Sequence, residues 1–138
     1  MSKSRRVFAL LLTAILAFTC FTPDSSGVNL QNEQGSYPTF YEIFVYSFCD
    51  SDGDGVGDLN GITSKLDYLQ ELGVSGIWLT PIHPATTYHK YDVMDYYGID
   101  PQFGTLEDFD NFMAACQERG IAVILDLVLN HSSSMHPW

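Results

Sequence analysis

Ile121 to Asn130 reads IAVILDLVLN, a run whose only polar members are Asp126 and Asn130. So apolar a stretch, entered from Gly120, reads as a strand covered on both faces, as parallel sheets require. Before it, Thr105 with Asp108 three positions on has capping-box spacing and opens a helix. Phe109, Phe112, Met113 and Cys116 form that helix's apolar stripe, Gly120 closes it, and Cys116 reads as a buried thiol. Further back, Gly76 to Thr80 (GIWLT) reads as a short strand stopped by Pro81, with a long Tyr-rich connection to Gly104. Ile62, Leu66 and Leu69 recur at helical spacing from about Ile62, and Gly73 ends that helix. Thr39 to Phe48 (TFYEIFVYSF), aromatic and β-branched, reads as a buried strand. The order is strand, loop, helix, strand, loop, helix, strand: an α/β protein with a parallel sheet. All the long segments follow strands and precede helices, which are the connections that form the active face of a (β/α)8 barrel. A doubly wound sheet is the rival, but the first loop lacks the dinucleotide glycine pattern. Three strands do not close a barrel. The fold expected is the first three βα units of a (β/α)8 TIM barrel, truncated, with the third strand exposing an apolar edge.

With 138 residues there is room for at most one domain, and 46% hydrophobic with 14% aromatic content is enough for a core. Of the six Lys and Arg, Lys3, Arg5 and Arg6 precede every acid, so the chain beyond them carries three bases against 17 acids, or −14. Nucleic-acid binding is excluded, because phosphate recognition needs clustered bases. Residues 1–20 read as an export signal, in which the basic start precedes an uncharged stretch from Val7 to Phe18 that is too short to span a membrane. Ala17-Phe18-Thr19-Cys20 resembles a bacterial lipobox, so Cys20 is a lipidation candidate beside ordinary cleavage. The protein is then exported, secreted or cell-surface lipid-anchored, and meets a membrane only through that anchor. Residues 21–37, rich in Ser, Asn, Gln, Gly and Pro, suit a flexible tether, and 38–138 form the folded body. Cys49 and Cys116 could pair in an exported protein, though two cysteines specify nothing.

Asp50-Ser51-Asp52-Gly53-Asp54-Gly55-Val56-Gly57-Asp58 places acids at positions 1, 3, 5 and 9. Alternating oxygens at this spacing wrap a hard cation, with the Val56 carbonyl as a further donor. Four carboxylates converging within ~5 Å repel by roughly 10–20 kcal/mol at an effective dielectric of ~20. A converged loop therefore needs a divalent ion, and oxygen-only donors select Ca²⁺ over Zn²⁺. The alternative is an acidic surface turn whose carboxylates never meet. An EF-hand is excluded, because position 12 is Gly61 and the preceding segment reads as strand.

This loop, leading into Leu59-Asn60-Gly61-Ile62, resembles glycoside hydrolase family 13, the α-amylase family. Asp126-Leu127-Val128-Leu129-Asn130-His131 is similar to that family's first conserved region, at the end of the third barrel strand. Tyr88-His89-Lys90-Tyr91-Asp92-Val93-Met94-Asp95-Tyr96 is similar to the segment that lines the sugar site, and Gly76 to Pro81 to the second strand. The resemblance runs from about Tyr37 to Trp138. It implies a calcium loop of Asp50, Asp52, Asp54, Val56 (by its carbonyl) and Asp58. It implies that Tyr91 stacks on the glucose beside the scissile bond and that His89 lies near the same sugar. His131 would hydrogen-bond the primary hydroxyl, and Asp92 matches an acid that grips a non-reducing-end glucose. Either Asp92 or Asp95 would face the sugar, the other solvent or a structural partner. Asn130 matches a ligand of a second calcium, and Asp126 a structural acid at the strand's end. Chemistry agrees: Tyr offers a flat apolar face and a hydroxyl, and His a pair of hydrogen-bonding nitrogens.

The resemblance further implies a retaining glycosidase, in which a nucleophile and an acid sit ~5–5.5 Å apart. The family carries those acids on the fourth, fifth and seventh strands, so none is nominated here. The reading is the N-terminal part of an exported α-glucan-active enzyme, with α-amylase action on starch-type α-1,4 bonds ranked first because export suits polymer digestion. An exo-α-glucosidase, transglycosylase or isomerase of the same family is the alternative, and a non-catalytic calcium-binding module a second. By itself the chain is expected neither to cleave starch nor to fold cooperatively.

Overall fold

The structure, a computed structural model, describes residues 38–138. The segments expected to be an export signal and a tether, with Cys20, lie outside the described residues. Three parallel strands form one sheet in the order β1 (Phe40–Ile43), β2 (Gly76–Leu79) and β3 (Ala122–Leu125). Phe40 pairs with Gly76 and Ile43 with Leu79, and β2 continues the same register onto Ala122 to Leu125. Between β1 and β2 lie α1 (Val45–Phe48), α2 (Leu59–Thr63) and α3 (Leu66–Glu71), and α4 (Leu106–Glu118) precedes β3. The expected parallel α/β order is what the chain adopts.

One face of the sheet is covered. Ile43, Ile77 and Leu79 pack with Leu59, Ile62, Leu66 and Leu69 of the first helices and with Phe112 and Cys116 of α4. Cys116 is buried and Cys49 half-buried, and both are free thiols; burial pushes the Cys116 thiol up to about 11. The other face, expected from the sequence to be covered as well, is open among the described residues, with Trp78 and Ile124 exposed. Thr105 makes its capping box with Asp108, the Asp108 amide donating to Oγ1 (3.1 Å) and the Thr105 amide to Oδ2 (2.8 Å). Gly73 and Gly120 end their helices at φ +79° and +66°, where a side chain is disfavoured.

Three boundaries differ from the sequence reading, and two share a cause. The strand expected over Thr39–Phe48 stops at Ile43, and the one expected over Ile121–Asn130 stops at Leu125. Their common neighbour, β2, runs into Pro81, which has no N–H for a ladder. The last rungs are Thr80 N to Ile43 O (3.0 Å) and Asp126 N to Leu79 O (3.1 Å). Beyond Ile43 the acidic loop takes the free carbonyls instead: Gly57 donates to Tyr46 O (2.7 Å) and Asp58 to Cys49 O (3.0 Å). The helix expected from Ile62 starts at Leu59, as α2, because Asp58 caps it, and it breaks before Leu66. The break follows hydroxyls that bond back to carbonyls, Thr63 to Leu59 (2.8 Å) and Ser64 to Gly61 (2.7 Å).

Candidate functional site

The segments that follow the strands carry all the chemistry. After β1, the acidic loop folds back through Gly53 and Gly55, at φ +86° and +89°. Asp50 Oδ1 accepts from the Gly53 amide (2.6 Å) and Oδ2 from Gly55 (2.9 Å), and these amides hold its carboxyl below the usual carboxylate range. Asp58 is buried: Oδ2 accepts from the Ser51 amide (2.7 Å), Oδ1 from the Ser51 hydroxyl (2.8 Å) and from Gly61, which caps α2 (2.6 Å). One oxygen each from Asp50, Asp52 and Asp58 lies within 4.8 Å of the others. Asp54 is not brought into this triad; its Oδ1 accepts from the Val56 amide (2.7 Å). Three hard oxygens at that separation fit a calcium-sized ion, since each carboxylate keeps lone pairs beyond those its amides use.

After β2 the chain makes a closed loop. Ala85 pairs antiparallel with Val93, and Met94 donates to Pro84 O (2.8 Å). Inside it, Asp92 accepts from the hydroxyls of Thr86 and Thr87 and from their amides (3.0 and 3.3 Å). Burial pushes the Asp92 carboxyl up, but these donors outweigh it and hold the group well below the usual range. Asp92 thus closes the loop, while Asp95 lines a depression shared with His131.

Tyr91 reaches across to the strand that follows. Its hydroxyl donates to Asp126 Oδ2, and Trp78 Nε1 donates to Asp126 Oδ1 (2.8 Å). The hydrogen bond to Asp126 pushes the phenol up to about 12, with burial and the Asp126 charge adding to it. Its hydroxyl is tied down, while the residue as a whole stays 39% exposed. Trp78, Tyr91, Asp126 and Asn130 line a depression of about 500 Å³. A second, of about 740 Å³, holds His131, Asp95, Tyr96 and Trp138, and Leu127 and Leu129 border both. His89 stands beside Tyr91, ring centroids 5.9 Å apart, and its Nδ1 accepts from the Tyr91 amide (3.2 Å). With Nδ1 accepting, Nε2 carries the proton of the neutral ring and is a donor.

One group escaped the sequence reading. Lys90 is 3% exposed, and its Nζ lies 2.8 Å from Asp100 Oδ2 and 2.8 Å from Gln102 Oε1. The available signal was its rarity, for Lys65, Lys90 and Arg119 are the only bases beyond the leader.

Residues 42–138 match the family model described as alpha amylase, catalytic domain. The chain belongs to the α-amylase family. Alpha-amylase 3 of Dictyoglomus thermophilum is 59% identical over 99 residues, covering 72% of this chain and 20% of that protein. Maltase A1 of Drosophila melanogaster is 46% identical over 131 residues, covering 94% and 21%. Among solved structures, Amy13B of Eubacterium rectale superposes with a TM-score of 0.73 at 59% identity, covering 74% and 20%. The chain therefore spans about a fifth of the length of these relatives. In α-amylase-family terms, β1 to β3 are opening strands of the TIM barrel, and the loops just described lie on its active face.

Proposed function

We propose that this chain forms the opening, sugar-facing part of an exported retaining α-glucan hydrolase, an α-amylase acting on α-1,4 bonds of starch-type polymers. The observation that carries the reading is Tyr91, fixed by its hydroxyl to Asp126 and left partly exposed within a concave surface. A ring so held can stack on the apolar face of a glucose without losing side-chain freedom on binding. His89 Nε2 would donate to the same sugar, and His131, at the adjoining depression, to its primary hydroxyl. The nucleophile and the acid would come from later strands, and these 138 residues supply binding alone. Ca²⁺ is the proposed cofactor, held by Asp50, Asp52 and Asp58 with Asp54 and the Val56 carbonyl as further donors; when bound it supplies charge neutralisation for the acidic loop. Asn130 is the candidate for a second calcium. Export, with either a lipid on Cys20 or ordinary cleavage of the leader, is part of the same proposal, tested by the mass of the mature N-terminus.

The likeness to Maltase A1 supports exo-action as the second reading. Incubation of the longer polypeptide that joins these residues to the later strands, the full-length polypeptide, with soluble starch and with maltose tests both. Internal cleavage of starch with rapid loss of iodine colour is expected. Glucose release from chain ends and from maltose would favour the second reading, and no release from either would overturn both.

A further inference from the structure

We propose that Lys90 is a positioning residue: its buried ammonium holds the backbone between His89 and Tyr91 in the arrangement that presents both side chains. The inference rests on the reading of those two residues as sugar contacts.

Lys90 has φ +63°, the only non-glycine in the left-handed region among the described residues. Side chains disfavour that region, and strain of this kind persists only where surrounding contacts over-determine it. Here they do. Nζ meets Asp100 Oδ2 and Gln102 Oε1, each at 2.8 Å, and lies 5.2 Å over the centre of the Phe103 ring. An ammonium has three donors and no acceptor, so two oxygens and a ring face satisfy it.

Those partners are themselves anchored to the body of the fold. The Asp100 amide donates to Ile82 O (2.8 Å), while its carboxylate accepts from the amides of Gln102 (3.0 Å) and Ala85 (3.3 Å). Phe103 is buried, its amide donates to Asp100 O (2.8 Å), and its carbonyl accepts from the first amide of α2, at Leu59 (3.0 Å). Lys90 is thus tied to a rigid frame, while His89 and Tyr91 on either side remain partly open. If the loop needed only to close, a glycine at this φ would serve, and no charge would have to be buried. A buried ion pair beneath two outward rings specifies one register of the loop.

The test is a mutant cycle in the full-length polypeptide: Lys90→Met, Tyr91→Ala and the double variant, assayed on a linear maltooligosaccharide well below the melting temperature. Lys90→Met is expected to raise KM about tenfold with kcat within about twofold, because the loss falls on substrate binding. That increase should largely vanish in the Tyr91→Ala background, since the two residues act as one unit. An unchanged KM in Lys90→Met, or an equal rise with and without Tyr91, overturns the proposal and leaves the sugar-site reading standing. A wild-type KM in Tyr91→Ala overturns the sugar-site reading itself, and this proposal with it. Should Lys90→Met fail to fold, Gln102→Leu, which removes one of the two oxygens that Nζ meets, carries the same cycle with the same outcomes.

Discussion

Asp58→Ala removes a single carboxylate that three donors share: the Ser51 amide at 2.7 Å, the Ser51 hydroxyl at 2.8 Å and the Gly61 amide at 2.6 Å. Hydrogen bonds to a charged acceptor contribute about 1.5–3 kcal/mol each, and losing a helix N-cap costs about 1 kcal/mol. The contributions overlap, since one group makes all three contacts, and the combined loss works out at about 3–4 kcal/mol. Asp58→Asn keeps Oδ1 for Gly61 and the Ser51 hydroxyl but turns an amide NH2 toward the Ser51 N–H, so its metal-free cost is smaller, about 1–2 kcal/mol. The triad with Asp50 and Asp52 adds a second consequence. Calcium at about 100 times its Kd stabilises the native state by about 2.7 kcal/mol, and both substitutions remove an anionic ligand. Urea unfolding of the full-length polypeptide in chelator and in excess calcium separates the two jobs. Wild type should gain stability with calcium, Asp58→Asn should lose most of that gain, and Asp58→Ala should lose both the gain and the cap. An undiminished calcium increment in Asp58→Asn would refute the triad as a cation site. A metal-free cost below about 1 kcal/mol in Asp58→Ala would refute the capping argument.

Other predictions follow from single contacts. The Tyr91 phenol, pushed up to about 12 by Asp126, keeps its proton after an unfolded tyrosine has lost its own near pH ~10. Its contribution to stability is therefore complete below pH ~10 and disappears as pH rises towards 12; an ultraviolet titration should show a late tyrosine ionisation near pH 12 that Asp126→Asn moves to lower pH. For Asp92 the sign is opposite. Its native carboxyl is depressed, so the stability it confers is present above pH ~4 and lost as pH falls, and Asp92→Asn should flatten acid unfolding curves there. Gly61→Ala would place a Cβ 1.9 Å from the Cys49 carbonyl oxygen, backbone against backbone. It should cost about 3 kcal/mol or more, and a melting temperature near wild type would contradict the close approach.

What the sequence made legible depends on how far each signal reaches. The capping box at Thr105, the glycine stops at Gly73 and Gly120, and the β2 segment from Gly76 were readable because neighbouring residues determine them. The ends of β1 and β3 were not, because what stops them is Pro81 on the strand between, and no pattern within either strand reports it. Alternating aspartates foretold a folded loop, but spacing does not fix convergence: Asp50, Asp52 and Asp58 meet, whereas Asp54 turns to the Val56 amide. Likewise Tyr91 and His89 were named from a motif, yet the bond that orients Tyr91 comes from Asp126, just past the adjacent strand β3. The buried pair of Lys90 with Asp100 has no periodicity to betray it, for both lie in an irregular connection.

The central claim is that the loops after β2 and β3 present Tyr91, His89 and His131 to one bound glucan. Adding a linear maltooligosaccharide to the full-length polypeptide with labelled tyrosine and histidine rings, and following the ring signals by nuclear magnetic resonance, tests it most directly. The Tyr91, His89 and His131 signals should move together along one saturation curve, while Tyr68, exposed on α3, stays in place. Saturating sugar that leaves the Tyr91 ring unmoved would contradict the account.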